Sequence, residues 1–138
     1  MSVKSAIIEL NTKGETEMYN LTSGVQAHLK ASGLKDGIVT VSLIGSTGSI
    51  STIEFEDGLR QDIKEVLERI IPKGHYHHDA AWGDGNAHAH LRSTLMGTSQ
   101  TFPFKEGKLL IGTWQQIVFI DFDNRRRQRQ IVVQMVGD

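Results

Sequence analysis

Hydrophobic residues recur along this chain with two different periods. "SAIIELNT" runs β-branched residues into a polar stop and reads as an opening strand. In "NLTSGVQAHLKASGLKDG", Leu21, Val25 and Leu29 share one helical face. Thr22 or Asn20 can cap that helix, and Gly33 offers a left-handed terminator. Period two returns in "GIVTVSLIG", where Val39, Val41 and Leu43 alternate with Thr40 and Ser42. "DGLRQDIKEVLERIIPKG" is the clearest helix: Leu59, Ile63, Val66, Leu67 and Ile70 fall at helical spacing, Asp57 can cap, and Pro72 forbids continuation. A stretch of weak periodicity follows. Three strands then close the chain, "KLLIGTW", "QIVFIDFD" and "RQIVVQMVG", the last two joined across "DNRRR" as a hairpin.

Strands outnumber helices, and neighbouring strands near the C-terminus are joined by short turns. The pattern predicts an α+β fold, a mostly antiparallel β-sandwich-like sheet with two main helices. There is no internal repeat, low-complexity tract or dividing linker. The 138 residues therefore read as one domain, residues 1–138. A chain of this length buries about two-thirds of its unfolded surface and needs no metal or disulfide to fold.

Composition narrows the chemistry. Hydrophobic residues make up 38% and charged residues 22%, the profile of a soluble globule. A formal net charge of −1 gives no global attraction to nucleic acid or anionic membrane. The amino terminus lacks the apolar run of a signal peptide, and no apolar stretch of ~18 residues occurs, so a cytoplasmic protein is expected. With no cysteine, thiol catalysis and thiolate metal sites are excluded. A metal would have to be held by imidazole and carboxylate.

That restriction gives meaning to "GHYHHDAAWGDGNAHAHLRSTLMGTS", which holds five of the six histidines. Imidazole is the commonest metal-binding side chain, and catalytic zinc takes three protein ligands. His88 and His90 form an H-x-H pair that points one way on an extended backbone but diverges by about 200° on a helix. The preceding "GDGN" favours a loop entering an extended piece. His78, beside Asp79, supplies a third ligand. The expected set is His78, His88 and His90 around a divalent metal, zinc by ligand chemistry, with Asp84 as a nearby carboxylate able to move a proton, or as an additional ligand.

Other segments fit an anionic substrate. The hydroxyl-rich turn with Ser46, Thr47 and Ser49 can cradle an oxyanion on backbone N–H groups, although it lacks the phosphate-loop signature. Glu54 lies at strand spacing from Thr52 and Glu56, and on an inner face it would be a general acid or base. "DNRRRQRQ" offers Arg127 and Arg129 for bidentate phosphate contacts. Asn86 and Gln115 complete the expected substrate-binding set.

Taken together, "STGSISTIEFEDGLRQD", "YHHDAAWGDGNAHAHLRSTLMGTS", "GKLLIGTWQQIVFIDFD" and "RRRQRQIVVQMVGD" resemble the YjbQ family, over essentially the whole chain. The resemblance implies a compact α+β fold, a homotrimer, and sites near subunit boundaries built on clustered histidines. By position it implies roles for His78, His88 and His90, for Glu54, for the Gly112–Gln115 segment and for Arg129. It further implies secondary thiamine-phosphate synthase activity, coupling a pyrimidine pyrophosphate with a thiazole phosphate. One departure stands out: many members begin the hydroxyl-rich turn with histidine, where this chain has Ser46. Pyrophosphate-handling sites usually hold Mg²⁺ through carboxylates, whereas imidazoles suit zinc.

Overall fold

The computed structural model describes residues 1–138. Five strands form one sheet in the spatial order β1 (Ser2–Thr12), β8 (Arg127–Gly137), β3 (Gly37–Leu43), β5 (Ser99–Lys105) and β6 (Lys108–Leu109). A second sheet orders β2 (Glu17–Asn20), β7 (Gln115–Asp121) and β4 (Gly48–Glu54). Every neighbouring pair is antiparallel.

The alternation in the sequence sets the layers. Val39, Val41 and Leu43 of β3 point inward with Ile131, Val133 and Met135 of β8, and they meet Ile50, Ile117 and Phe119 of the smaller sheet. Helix α1 (Thr22–Ser32) closes this core through Val25 and Leu29. Asn20 accepts the Thr22 N–H just ahead of α1, and Gly33 ends it at φ 74°. The other face of the smaller sheet packs Met18, Val118 and Ile120 against Leu67 of α2 (Asp57–Ile70) and Ala89 of α4 (Ala87–Met96). β7 is thus buried on both faces, which is why "IVFI" is an unbroken apolar run rather than an alternation. α2 is capped by Glu56, whose carboxylate accepts the Leu59 N–H at 2.6 Å, with Asp57 in the first turn.

Three expectations need correction. The α+β class and antiparallel sandwich hold, but there are four helices instead of two, because the histidine segment folds into α3 (His77–Trp82) and α4. The two C-terminal strands are not a hairpin: β7 and β8 lie in different sheets, and the arginine-rich turn carries the chain from one layer to the other. Of "KLLIGTW" only Lys108–Leu109 pairs as a strand.

The corner between β1 and β2 is conformationally costly. Gly14, Glu15 and Thr16 all have positive φ, at 80°, 58° and 65°. A side chain on Gly14 would meet the Asp123 carbonyl oxygen at 2.3 Å. The corner is held by Glu15 and Thr16 N–H groups donating to the carbonyls of Asp123 and Asp121, both at 2.7 Å. Such strain persists only where surrounding structure enforces it, and here it abuts the polar end described next.

Candidate active site

α3 and α4 are joined by a short loop that several polar contacts fix. Gly83, at φ 72°, ends α3 with its N–H on the Asp79 carbonyl at 2.7 Å. The Asp79 carboxylate accepts the Ala87 N–H at 3.0 Å, an acid placed at the positive end of α4. Asn124, from the β7–β8 turn, donates to the Asp84 carbonyl at 2.8 Å.

This framework sets His78 against His90 on one side and Asp84 on another. The two imidazoles meet edge to face with ring centroids 4.9 Å apart. His78 Nε2 lies 3.4 Å from an Asp84 carboxylate oxygen and 3.2 Å from Asn86 Oδ1. His78 and Asp84 are partly open to solvent, while Asn86 is buried.

His88 does not join them. The H-x-H pair is helical, so the rings diverge, and His88 is 2% exposed on the inner side of α4. Its Nδ1 is fully enclosed and has no hydrogen-bond partner. Burial, then the nearby charges of Arg92 and Lys73, lowers its pKa and favours the neutral imidazole. Of the expected set His78, His88 and His90, the structure brings His78 and His90 into contact and turns His88 inward, and Asp84 is the acid beside His78. Two imidazoles and a carboxylate suit a zinc-type ion chemically. No three His, Asp or Glu side chains converge as a ready ligand set, however. An ion bound here would have to take His78 Nε2 from Asn86.

Beyond Asn124 the polar end continues into a buried ionic network. Asp121 and Asp123 are 0% exposed. Arg129 grips Asp121 with two hydrogen bonds, Nε to Oδ2 at 2.8 Å and Nη2 to Oδ1 at 2.9 Å, and gives a third to the Thr47 hydroxyl at 2.8 Å. Thr12 adds its hydroxyl to Asp121 at 2.6 Å. Arg127 donates to Asp123 at 3.0 Å. Arg129 Nη1 makes no hydrogen bond in the chain, is not among the fully enclosed unpartnered atoms, and lies beside Gly45. The N–H groups of Gly45, Ser46 and Thr47 also lack partners within the chain. A cation beside a turn with unpaired N–H groups is a candidate cradle for an anionic oxygen.

Burial by itself would raise the Asp123 carboxyl, but donors from the Asn124 N–H, the Thr47 hydroxyl and Arg127 outweigh it and hold it below the ordinary carboxylate range. A depressed carboxyl adds stability above its unfolded pKa and loses it as pH falls through the folded value. Stability should therefore drop below about pH 4. Asp123→Asn should flatten that acid limb, which urea titrations from pH 7 down to pH 2 would check.

The remaining expected residues divide. Ser46 is exposed at the cradle. Ser49 is fully buried, and its hydroxyl donates to the Gly97 carbonyl at 2.7 Å, tying β4 to α4, so it is not open to substrate. Glu54 and Gln115 pair with each other at the far end of the β4–β7 ladder from Gly48 and Asp121. Six residues of strand separate them from the cradle by about 20 Å. Glu54 is exposed, so it does not sit on an inner strand face as a buried acid or base would. Gln115 instead borders a groove of about 540 Å³ with Thr22, Gln26 and Lys30 of α1.

Sequence reasoning missed Asp121 and Asp123, although two acids in an apolar strand just before an arginine run signal a buried ion pair. It also missed Arg92, 2% exposed, which donates to the Ile71 carbonyl from Nε at 3.0 Å and Nη2 at 2.7 Å, and ties α4 to Thr16 and Glu68.

Comparison with known proteins places this geometry. Residues 6–138 match the family model described as UPF0047 protein YjbQ-like. A UPF0047 protein of Archaeoglobus fulgidus is 39% identical over 126 residues, 91% of this chain and 96% of that one. Another, from Methanothermobacter thermautotrophicus, is 38% identical over 130 residues, 94% and 90% of the two chains. A crystal structure of a protein of unknown function from Sulfolobus solfataricus superposes with a TM-score of 0.89 at 32% identity, covering 99% of this chain and 100% of that one. One from Clostridium acetobutylicum gives 0.87 at 33% identity, covering 95% and 99%. With nearly its full length matched by the family model and by these relatives, the chain belongs to the YjbQ/UPF0047 family.

Proposed function

We propose that this chain is an enzyme acting on a small phosphorylated substrate, with the secondary thiamine-phosphate synthase reaction as the activity to test. The observation that carries the reading is the contact of His78 with His90 and Asp84, at the same end as the Arg129–Ser46 cradle. The cradle receives anionic oxygens of a phosphate or diphosphate. Arg127 adds positive charge at its edge. The His78 and Asp84 side chains hold and move a proton at His78 Nε2, within reach of solvent. A divalent metal, zinc by donor chemistry, would instead take His78, His90 and Asp84 as ligands in place of that proton, and would neutralise charge on a departing diphosphate.

Glu54 and Gln115 enter this reading only through a neighbouring copy. We therefore include the homotrimer in the proposal, with sites at subunit boundaries. It is supported by the outer face of the larger sheet, where Val3 is 60%, Ile7 45% and Ile38 48% exposed. No helix is long and apolar enough to cross a membrane.

Two measurements test the proposal. Elemental analysis of protein purified without a histidine tag should find about one zinc per chain, lost in His78→Ala/His90→Ala and kept in His88→Leu. Absence of metal even after zinc incubation would remove the ion from the reading. Supplied with both precursors, the enzyme should form the coupled product and release pyrophosphate. Consumption of the pyrimidine pyrophosphate alone would instead make it a hydrolase, and turnover of neither would overturn the enzymatic reading.

A further inference from the structure

The chain has two tryptophans, and both are largely exposed: Trp82 at 77% and Trp114 at 73%. Trp114 precedes β7 at the Glu54–Gln115 end, while Trp82 closes α3. α3 contributes no buried residue at all, so its indole adds nothing to the core. A tryptophan ordinarily has one of the largest burial energies of any side chain, and leaving it in water on a defined element calls for a reason. The element is defined: Gly83 stops α3, Asp79 ties it to α4, and Asn124 holds the loop that follows. Trp82 is four residues after His78, so the two share one face of α3, one turn apart.

We propose that Trp82 is the ring-recognising wall of the histidine site, stacking a planar heteroaromatic group of the substrate while the anionic part is bound elsewhere. This rests on the proposed phosphorylated substrate and adds its second chemical feature. An indole face binds planar π-systems with little regard for their edge pattern, so it selects a ring class. Edge selection falls to neighbours: the Asp84 carboxylate accepts from a ring amine, and His78, next along the face, is set against a ring nitrogen or the reacting substituent. Trp82 is thus a specificity residue, and proton movement remains with His78 and Asp84. A charged ring would be held as well, through the face of the indole.

A Trp114→Phe background leaves Trp82 as the sole indole. Its fluorescence should be quenched by the pyrimidine pyrophosphate and unaffected by inorganic pyrophosphate, which has no ring. In wild type and in Trp82 variants, both ligands are then titrated by calorimetry. Trp82→Ala should weaken the ring-bearing ligand by about 5- to 150-fold, the span of a single lost stacking contact, and leave pyrophosphate unchanged. Trp82→Phe should recover most of the loss. Equal weakening of both ligands, or of neither, would overturn the stacking role while leaving the phosphate reading intact. A Trp82→Ala protein that changes only its sedimentation would make Trp82 an assembly contact and would also overturn it. If wild type binds neither ligand, the proposed substrate class itself falls, and this inference with it.

Discussion

Arg129→Met should destabilise the protein by about 3–5 kcal/mol, read as a fall in the urea midpoint at unchanged slope. The substitution keeps the aliphatic stem but leaves Asp121, 0% exposed, without its two guanidinium bonds. A buried carboxylate stripped of its partner bears its full desolvation cost, and the Thr12 hydroxyl at 2.6 Å and the Asp123 N–H at 3.0 Å replace little of the lost charge. The loss reaches further than one pair, because Arg129 also joins Thr47 of the cradle turn to β7 and β8. Arg129→Lys should recover only part of it, since an ammonium cannot reproduce the side-on geometry. An effect below about 1 kcal/mol would mean that Asp121 finds water or protonates, contrary to the buried network.

The second large effect concerns activity. His78→Gln and His90→Gln should each lower turnover of the phosphorylated substrate by about 10²–10⁴-fold, the range of a lost general acid–base or ligand group. Both imidazoles are half-buried and lie outside the two hydrophobic clusters, so melting temperature should shift by only a few degrees. His88→Leu should behave in the opposite way. Its imidazole is buried with Nδ1 unpaired, and a leucine removes that unsatisfied atom, so stability should hold or rise. If His88→Leu abolishes activity as fully as His90→Gln while leaving the fold intact, the division of the two histidines by α4 is wrong for function.

The acid limb assigned to Asp123 and the Arg129 network belong to one structure. Lowering pH through the folded value of Asp123 should loosen the β7–β8 corner, including the Asn124 bond that positions Asp84. Activity should therefore fall irreversibly or slowly in strong acid, distinct from the fast titration of a single catalytic group.

Much of the fold was legible because a sandwich writes itself into a chain at two periods. Val39, Val41 and Leu43 alternate because one face of β3 is core and the other is open. Leu59, Ile63, Val66, Leu67 and Ile70 recur helically because α2 lies on the smaller sheet. The family, and with it the α+β class, was legible in the joined motifs around "DGNAHAH" and "GTWQ". The helix bearing His88 and His90 was not. Its inner positions are Ala89, His88, Arg92 and Ser93, small or polar, so the face it buries carries no hydrophobic period. Alternating His and Ala then imitates a strand. Nor does sequence say that β7 and β8 part into different sheets: the turn between them has ordinary hairpin composition, and only Asp121 and Asp123, buried against Arg129 and Arg127, show why the chain crosses. The sequence alone determined that imidazoles, acids and arginines abound near two turns. Tertiary structure decided which of them meet, because a helix turns side chains two residues apart to opposite sides, and a seven-residue strand holds Glu54 and Gln115 about 20 Å from the Gly48–Asp121 end.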